Sequence, residues 1–276
     1  MQRILILPVS ALLVLSATGC SKVQARADLK KGNSYYTQEQ YAKALDYYQR
    51  GLKLDPDATF AYRSLGFSAL ALYRPGDEDA KNKEYGDTAI KAFQKYLEEN
   101  PTDSKVEDYL MATYVNAGHY DEALQYIDKK AQENPQDAQK WKQARFNILL
   151  KAERLDDALA LAPQLAPADR ATALYSIGVA LWKKVYQDKG QIPMDQRSAM
   201  IEKGINAEKA ALDIKPDYSD AMFYYGLLFR ERAKIEIDGA KRLEDEKLAN
   251  EWATKGAELM KKKAAQPPAP AAPANS

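Results

Sequence analysis

The sequence predicts an all-α fold in which helix pairs stack in a row as an α-solenoid. Three observations carry this. From Lys22 to about Lys263, no run of alternating apolar and polar residues stands between Gly-Asn or Asp-Gly turns, so strands have no signature here. Residues recur at a spacing of 34: Pro101 and Pro135, Gly32 and Gly66, Met111 and Arg145. A small residue precedes a proline by 12 positions four times, at Ala44–Pro56, Ala89–Pro101, Ala123–Pro135 and Gly204–Pro216, and ten residues after each proline lead to Gly66, Met111, Arg145 and Gly226. A period of this length fits two helices and two turns. One such unit cannot bury its apolar side alone, so units stack.

The elements follow in chain order. Arg3 is the only charge before Cys20, and an apolar run from Ile4 to Leu15 follows it. Its twelve residues are too few to cross a bilayer, which takes about 20, but they suit the core of a secretory signal peptide. Ser16, Ala17, Thr18 and Gly19 are small, as a signal peptidase requires, and Cys20 comes next. The arrangement resembles the bacterial lipobox, with Ala17 where that motif usually carries leucine. The resemblance implies acylation of Cys20, the chain's one cysteine. Ser21 after it resembles the sorting state for the outer membrane.

The repeat units start after this segment. In each, a small residue of the first helix (Gly32, Gly66, Gly178, Gly226) and one of the second (Ala44, Ala89, Ala123, Gly204) let the helices approach. A large apolar residue usually follows one turn later, as at Tyr48, Phe93 and Ile127, and fills the seam. Proline then ends the second helix where its missing donor does no harm.

The second unit carries eleven extra residues around Arg74-Pro75-Gly76-Asp77-Glu78-Asp79, an expected solvated loop near 74–84. Its acidic trio lacks the alternating oxygen ligands of a calcium loop, with Lys81 at a ligand place and Asn82 and Lys83 diluting the charge. In the fourth unit a short helix, Leu155 to Leu161, meets Pro163 and Pro167. The joint there reads as a fixed kink, with a hinge as the alternative. The fifth carries fourteen extra residues near 187–197. Its first helix is expected to run to about Gln187, with a turn at Lys189-Gly190 and a new helix from Pro193. A long charged stretch, Glu231 to Lys247, precedes a capping helix from about Leu248 to Lys263.

These units resemble the tetratricopeptide repeat. The residues that carry the likeness are Gly32, Tyr35, Ala44, Tyr48 and Pro56, then Gly66, Ala69, Ala89, Phe93 and Pro101, then Tyr114, Ala123, Ile127 and Pro135, with the turn Asn116-Ala117-Gly118-His119-Tyr120-Asp121-Glu122-Ala123. The resemblance implies a right-handed superhelix with a concave groove. The expected organisation is a signal peptide over 1–19, a lipid-anchored N-terminus over 20–24, about six units over 25–263, and a disordered Ala/Pro-rich tail over 264–276.

Composition narrows the function. The 276 residues include 46% hydrophobic and 29% charged side chains, with 40 basic residues against 39 acidic. A near-neutral chain has no electrostatic footprint for nucleic acid. One cysteine and one histidine, His119, cannot build a thiolate cage or a two-imidazole site. No G-x-x-x-x-G-K or G-x-G-x-x-G loop is present, and the carboxylates lie among lysines as on solvated helices. The expectation is no enzyme, no cofactor, no metal and no small-molecule substrate.

What is left is a surface. Phased from the small residue, the groove face takes Asn33 and Tyr36, then Arg63, Phe67 and Leu70, then Asp108 and Ala112. It continues with Lys142, Phe146 and Leu149, then Tyr175, Val179 and Trp182, then Phe223, Leu227 and Arg230. Of these, Tyr36, Arg63, Phe67, Lys142, Phe146, Tyr175, Trp182, Phe223 and Arg230 are the anchor types that interfaces favour. Asn33 fits the carboxylate clamp of some tetratricopeptide proteins, but Leu29 and Ser64 hold its partner positions, so no clamp is expected. The reading is a periplasmic scaffold or adaptor, tethered by Cys20, that binds a peptide or helix of an envelope protein. The alternatives are a lipoprotein like the pilotins or the outer-membrane assembly adaptors, and a self-associating structural protein.

Overall fold

The computed structural model describes residues 12–265, with side chains from residue 21 onward; residues 4–11 of the apolar run, the acylated side chain expected at Cys20 and residues 266–276 of the tail lie outside them. Among the described residues there are twelve α-helices and no strand: α1 Leu12–Thr37, α2 Tyr41–Leu54, α3 Thr59–Leu72, α4 Ala80–Glu99, α5 Ser104–Asn116, α6 Tyr120–Glu133, α7 Ala138–Lys151, α8 Leu155–Leu161, α9 Pro167–Gln187, α10 Met194–Ile214, α11 Ser219–Ile235 and α12 Gly239–Ala265. None is long and apolar enough to cross a membrane. The helices form two compact units that divide between Ala123 and Leu124, within α6.

The seams follow the small-against-large rule. A methyl group placed on Gly32 would lie 2.8 Å from the ring of Tyr48, and one on Gly66 would collide with the ring of Phe93. Tyr48, Phe93 and Ile127 are all buried. In the second unit a methyl on Gly204 would come within 2.8 Å of Leu228, and one on Gly226 within 2.8 Å of the Ala249 carbonyl.

Two turn types recur, each with one hydrogen-bond pattern. Between the helices of a pair, Gln40, His119 and Arg154 donate their backbone N–H groups to Tyr35, Tyr114 and Leu149, each at 2.9 Å. This is the six-residue closure of a Schellman helix end, which needs a left-handed residue. Gly118 supplies it at φ 76°, but Glu39 and Glu153 sit there at φ 58° and 55°. A side chain in that conformation costs about 1 kcal/mol. Glu153→Gly is therefore expected to raise stability by about 1 kcal/mol in urea denaturation, whereas Gly118→Ala should lower it. Between successive pairs, Ala58, Asp103, Asp137 and Tyr218 donate to Asp55, Asn100, Asn134 and Lys215, and the second residue of each turn is proline. Proline's fixed φ suits that position.

The first insertion differs from the expected loop. Its non-helical part stops at Asp79, which caps α4 by accepting from the N–H groups of Lys81 and Asn82, and the remainder lengthens α4. Asn82 is not a solvated diluent. It is buried, it accepts from Arg74 N–H at 2.7 Å, and it donates to the carbonyls of Arg74 and Asp77 at 2.8 Å each. Glu78 pairs with Lys83 at 2.5 Å. Asn82→Ala takes the partner from the Arg74 N–H and the Asp77 carbonyl, while the Arg74 carbonyl keeps the Asp77 N–H, and is expected to cost about 2 kcal/mol, with amide exchange rising selectively over residues 74–79.

In the second insertion, Asp188 accepts from Gln191 and Ile192 and from Arg197. Burial pushes its carboxyl up, but these donors outweigh burial and hold it below the usual range. Arg197 also reaches buried Glu231, and Arg232 bridges Glu202 and buried Asp245. The charged stretch after Glu231 is thus partly interior. It is also mostly helical: α12 begins at Gly239, nine residues before the expected Leu248, and runs through Ala264 and Ala265 of the expected tail. Asp238 starts it by accepting from the N–H groups of Ala240 and Lys241.

The Pro163–Pro167 joint lies inside the second compact unit. A 3-10 turn, Ala162–Gln164, links α8 to α9, Ala162 and Leu165 are buried, and Arg170 donates to the Leu165 carbonyl at 2.9 Å. A packed joint of this kind is a kink rather than a hinge.

Candidate functional site

The first helix of each pair presents the face on which binding was expected, and each compact unit carries its own part of it. In the first unit, Arg63 lies over the ring of Phe67 at 5.0 Å and 3.9 Å from Asp103. Phe67 meets Phe93 at 5.1 Å and Tyr109 at 4.9 Å, both edge to face. Tyr36 packs on Tyr41 at 5.5 Å. Its phenol is raised chiefly by burial, and Arg63 draws it partly back. Arg63 and Phe60 are exposed, Phe60 by 64%.

The second unit carries a longer aromatic ladder on α9 and α11. Tyr175 lies 4.9 Å from Tyr218 and 5.8 Å from Tyr224. Trp182 meets Tyr224 edge-on at 5.2 Å and stacks on Tyr186 at 4.8 Å. Phe223 continues from Tyr224 at 5.8 Å. Burial, with Tyr224 next in order, pushes the Tyr175 phenol up to about 12, so it stays a neutral donor. Tyr186 is 60% exposed and Phe223 45%, whereas Tyr175, Trp182 and Tyr224 are half-buried against the core of the unit. The Trp182 indole N–H has no acceptor among the described residues.

Several expected anchors lie elsewhere. Phe146 and Leu149 are fully buried. α8 is only seven residues long, and α7 packs against both α8 and α9, so more of its circumference is covered than one partner would cover. Arg145 replaces the small residue that sets the phase in other pairs and turns to Asp128 in an ion pair. Lys142, on the same helix, is half-buried. Arg230 is exposed but leans toward Asn250 of α12, away from the ladder. Asn33, expected on the open face, accepts from the Tyr48 hydroxyl at 2.7 Å. His119 is not a bare surface group: it bridges Asp87 at 2.9 Å and Glu122 at 3.1 Å and holds the Glu122 carboxyl down.

Sequence phasing missed Tyr109, Tyr186, Tyr218 and Tyr224. Tyr109 and Tyr224 both stand two residues before the phase-setting position of their helix, and each packs its ring onto the preceding first helix. That shared offset was the available signal. Tyr186 is one turn beyond Trp182, on the extension of α9.

A family model for the tetratricopeptide repeat matches residues 29–58, the end of α1 and all of α2 with its proline turn. The Gly32–Tyr48 seam inside that match recurs at Gly66–Phe93. Residues 29–58 are a tetratricopeptide repeat, set in an all-α fold of helix pairs. The chain is 23% identical over 208 residues to the PEX5-related protein of Homo sapiens, covering 69% of this chain and 32% of that one. The Mus musculus protein gives 23% identity over 69% of this chain and 35% of its own. The chain thus spans about a third of the length of the curated relatives it matches. Among solved structures it is similar to MamA, residues 41 to the end, from Desulfovibrio magneticus RS-1, with 20% identity, coverage of 74% and 96%, and a TM-score of 0.44. It is also similar to YrrB, described as a TPR protein with an unusual peptide-binding site, with 17% identity, coverage of 91% and 97%, and a TM-score of 0.30. Tetratricopeptide pairs make a protein-interaction scaffold, since stacking leaves one side of the first helices unpartnered.

Proposed function

We propose that this chain is a lipid-anchored, non-enzymatic scaffold of the bacterial cell envelope, facing the periplasm from the outer membrane, that holds a peptide or helix of an envelope protein on the aromatic face of α9 and α11. The observation that carries the reading is the ladder of Tyr175, Trp182, Tyr186, Tyr218 and Tyr224. Aromatic rings held half-buried in this way bring large contact area at low entropic cost. Tyr186 and Phe223 at its border are well exposed. The anchor rests on the apolar run from Ile4, the small residues before Cys20 and the absence of any other cysteine.

The two parts are tested separately. Globomycin treatment is expected to accumulate an unprocessed precursor, and Cys20→Ser to move the protein from the membrane to the soluble fraction; normal processing under globomycin contradicts the anchor. Affinity capture from envelope extracts is expected to recover one dominant protein, lost with the pair Tyr186→Ala and Phe223→Ala, while thermal stability is unchanged. Retention of that protein by the double variant, or a stable dimer by light scattering that the same changes dissociate, contradicts the adaptor reading.

A further inference from the structure

One side of α1 packs and the other carries only positive charge. Ala25 and Leu29 are buried against Gly51 of α2. From residue 21 to 38 the basic side chains are Lys22, Arg26, Lys30 and Lys31, and the one carboxylate is Asp28. Asp28 is buried and faces Arg50 of α2 at 3.7 Å, so it does not offset them. Lys22, Arg26 and Lys30 stand four residues apart and therefore follow one another turn by turn along one face. All three are exposed, and none has an ion pair, hydrogen bond or ring contact among the described residues. Lys31 borders them and lies over the Tyr47 ring at 5.5 Å. In a chain of 40 basic and 39 acidic residues this is a local excess of one sign.

Three features select the partner. A face of cations alone is complementary to an anionic surface. Val23, 68% exposed, and Ala27, also exposed, lie among those cations. Apolar side chains set among lysine and arginine suit a helix that lies in a headgroup layer, where the former enter and the latter pair with phosphate. The stripe also starts two residues after Cys20 and runs about 12 Å along α1 to Lys30. A chain held to a bilayer at residue 20 therefore brings the whole stripe onto the headgroups once α1 lies flat. Each cation near such a surface strengthens binding about fivefold.

We propose that the Lys22–Arg26–Lys30 face of α1 lies on the anionic phospholipid headgroups of the membrane that holds residue 20, and so sets which side of the first compact unit meets the bilayer. This rests on the reading of residue 20 as the anchor and adds the face that touches the surface. Among the described residues the buried core begins at Ala25, so the chain from Ser21 keeps that core and carries no acyl group. Its sedimentation is measured with vesicles of phosphatidylcholine alone and of phosphatidylcholine mixed with phosphatidylglycerol. Binding is expected to the mixed vesicles only, and to weaken as salt rises. Lys22→Gln, Arg26→Gln and Lys30→Gln together should lower the affinity about a hundredfold. Lys241→Gln, Lys261→Gln and Lys262→Gln, exposed on α12, remove the same charge and should change it less than about twofold. A polarity-sensitive dye on Ala27→Cys should report a drier surrounding on the mixed vesicles. Equal binding to neutral vesicles, no binding to either, an equal loss in the α12 variant, or a dye at residue 27 that stays in water overturns the proposal. The chain tested lacks Cys20, so its binding does not depend on acylation. Normal processing under globomycin would remove the anchor and leave these results as they are, so the two readings fail separately.

Discussion

Glu208→Leu is expected to stabilise the second unit by about 3 kcal/mol at pH 7. Glu208 stands four residues after Gly204, the place that Tyr48, Phe93 and Ile127 hold after Ala44, Ala89 and Ala123. It is fully buried against Gly178, where an added methyl would collide with the carboxyl group. Neither carboxyl oxygen has a hydrogen-bond partner among the described residues. Burial raises it from 4.5 to about 9, so at neutral pH the folded chain holds a proton that the unfolded chain releases. Its contribution is therefore fully present below pH 4.5 and is lost as pH rises toward 9, by about 1.4 kcal/mol per unit. Urea denaturation of wild type and variant checks this. The gap between them should widen from under about 1 kcal/mol at pH 5 to about 5 kcal/mol at pH 8.5. Glu208→Gln, which keeps the shape and does not titrate, should remove the same slope. A gap that stays constant from pH 5 to 8.5 would mean that the carboxyl is ionised within the fold.

Phe93→Ala is expected to cost about 4 kcal/mol. The ring is fully buried, fills the space over Gly66 and holds Phe67 edge-on, so its loss opens a cavity beneath the Arg63–Phe67–Tyr109 cluster. Gly66→Ala should also destabilise, by about 2 kcal/mol, because the added methyl meets the ring. The two changes act on one space. In the Gly66→Ala background, Phe93→Leu should therefore cost less than it does alone, a coupling of about 1 kcal/mol. Strict additivity in chemical denaturation would show that the seam does not depend on size matching.

The helix pairs were legible because their cause is local. Small residues, turn prolines and the 34-residue spacing each mark a place where two helices must approach or a chain must stop. The short α8 and the end of α9 at Gln187 were readable from proline and glycine alone. What was not legible depended on partners distant in sequence. Asn82 reads as a polar loop residue until Arg74 and Asp77 fold back onto it. Arg232 and Asp245 read as surface charge until α11 and α12 pair them. Phasing from Arg145 puts Phe146 on the open face, but Arg145 is not small and pairs with Asp128, and Phe146 is buried. The ladder was half legible: Tyr175, Trp182 and Phe223 follow from phasing, while Tyr224 and Tyr109 come from the neighbouring helix, which one helix's periodicity cannot show.

The central claim is that the ring face of α9 and α11 takes a polypeptide. Photo-crosslinking residues placed singly at Tyr186, Phe223 and, as a control on α10, exposed Lys209 test it in living cells. The account predicts crosslinks to a partner polypeptide from 186 and 223 and background alone from 209. Equal yields at all three positions, or none from 186 and 223, would contradict it.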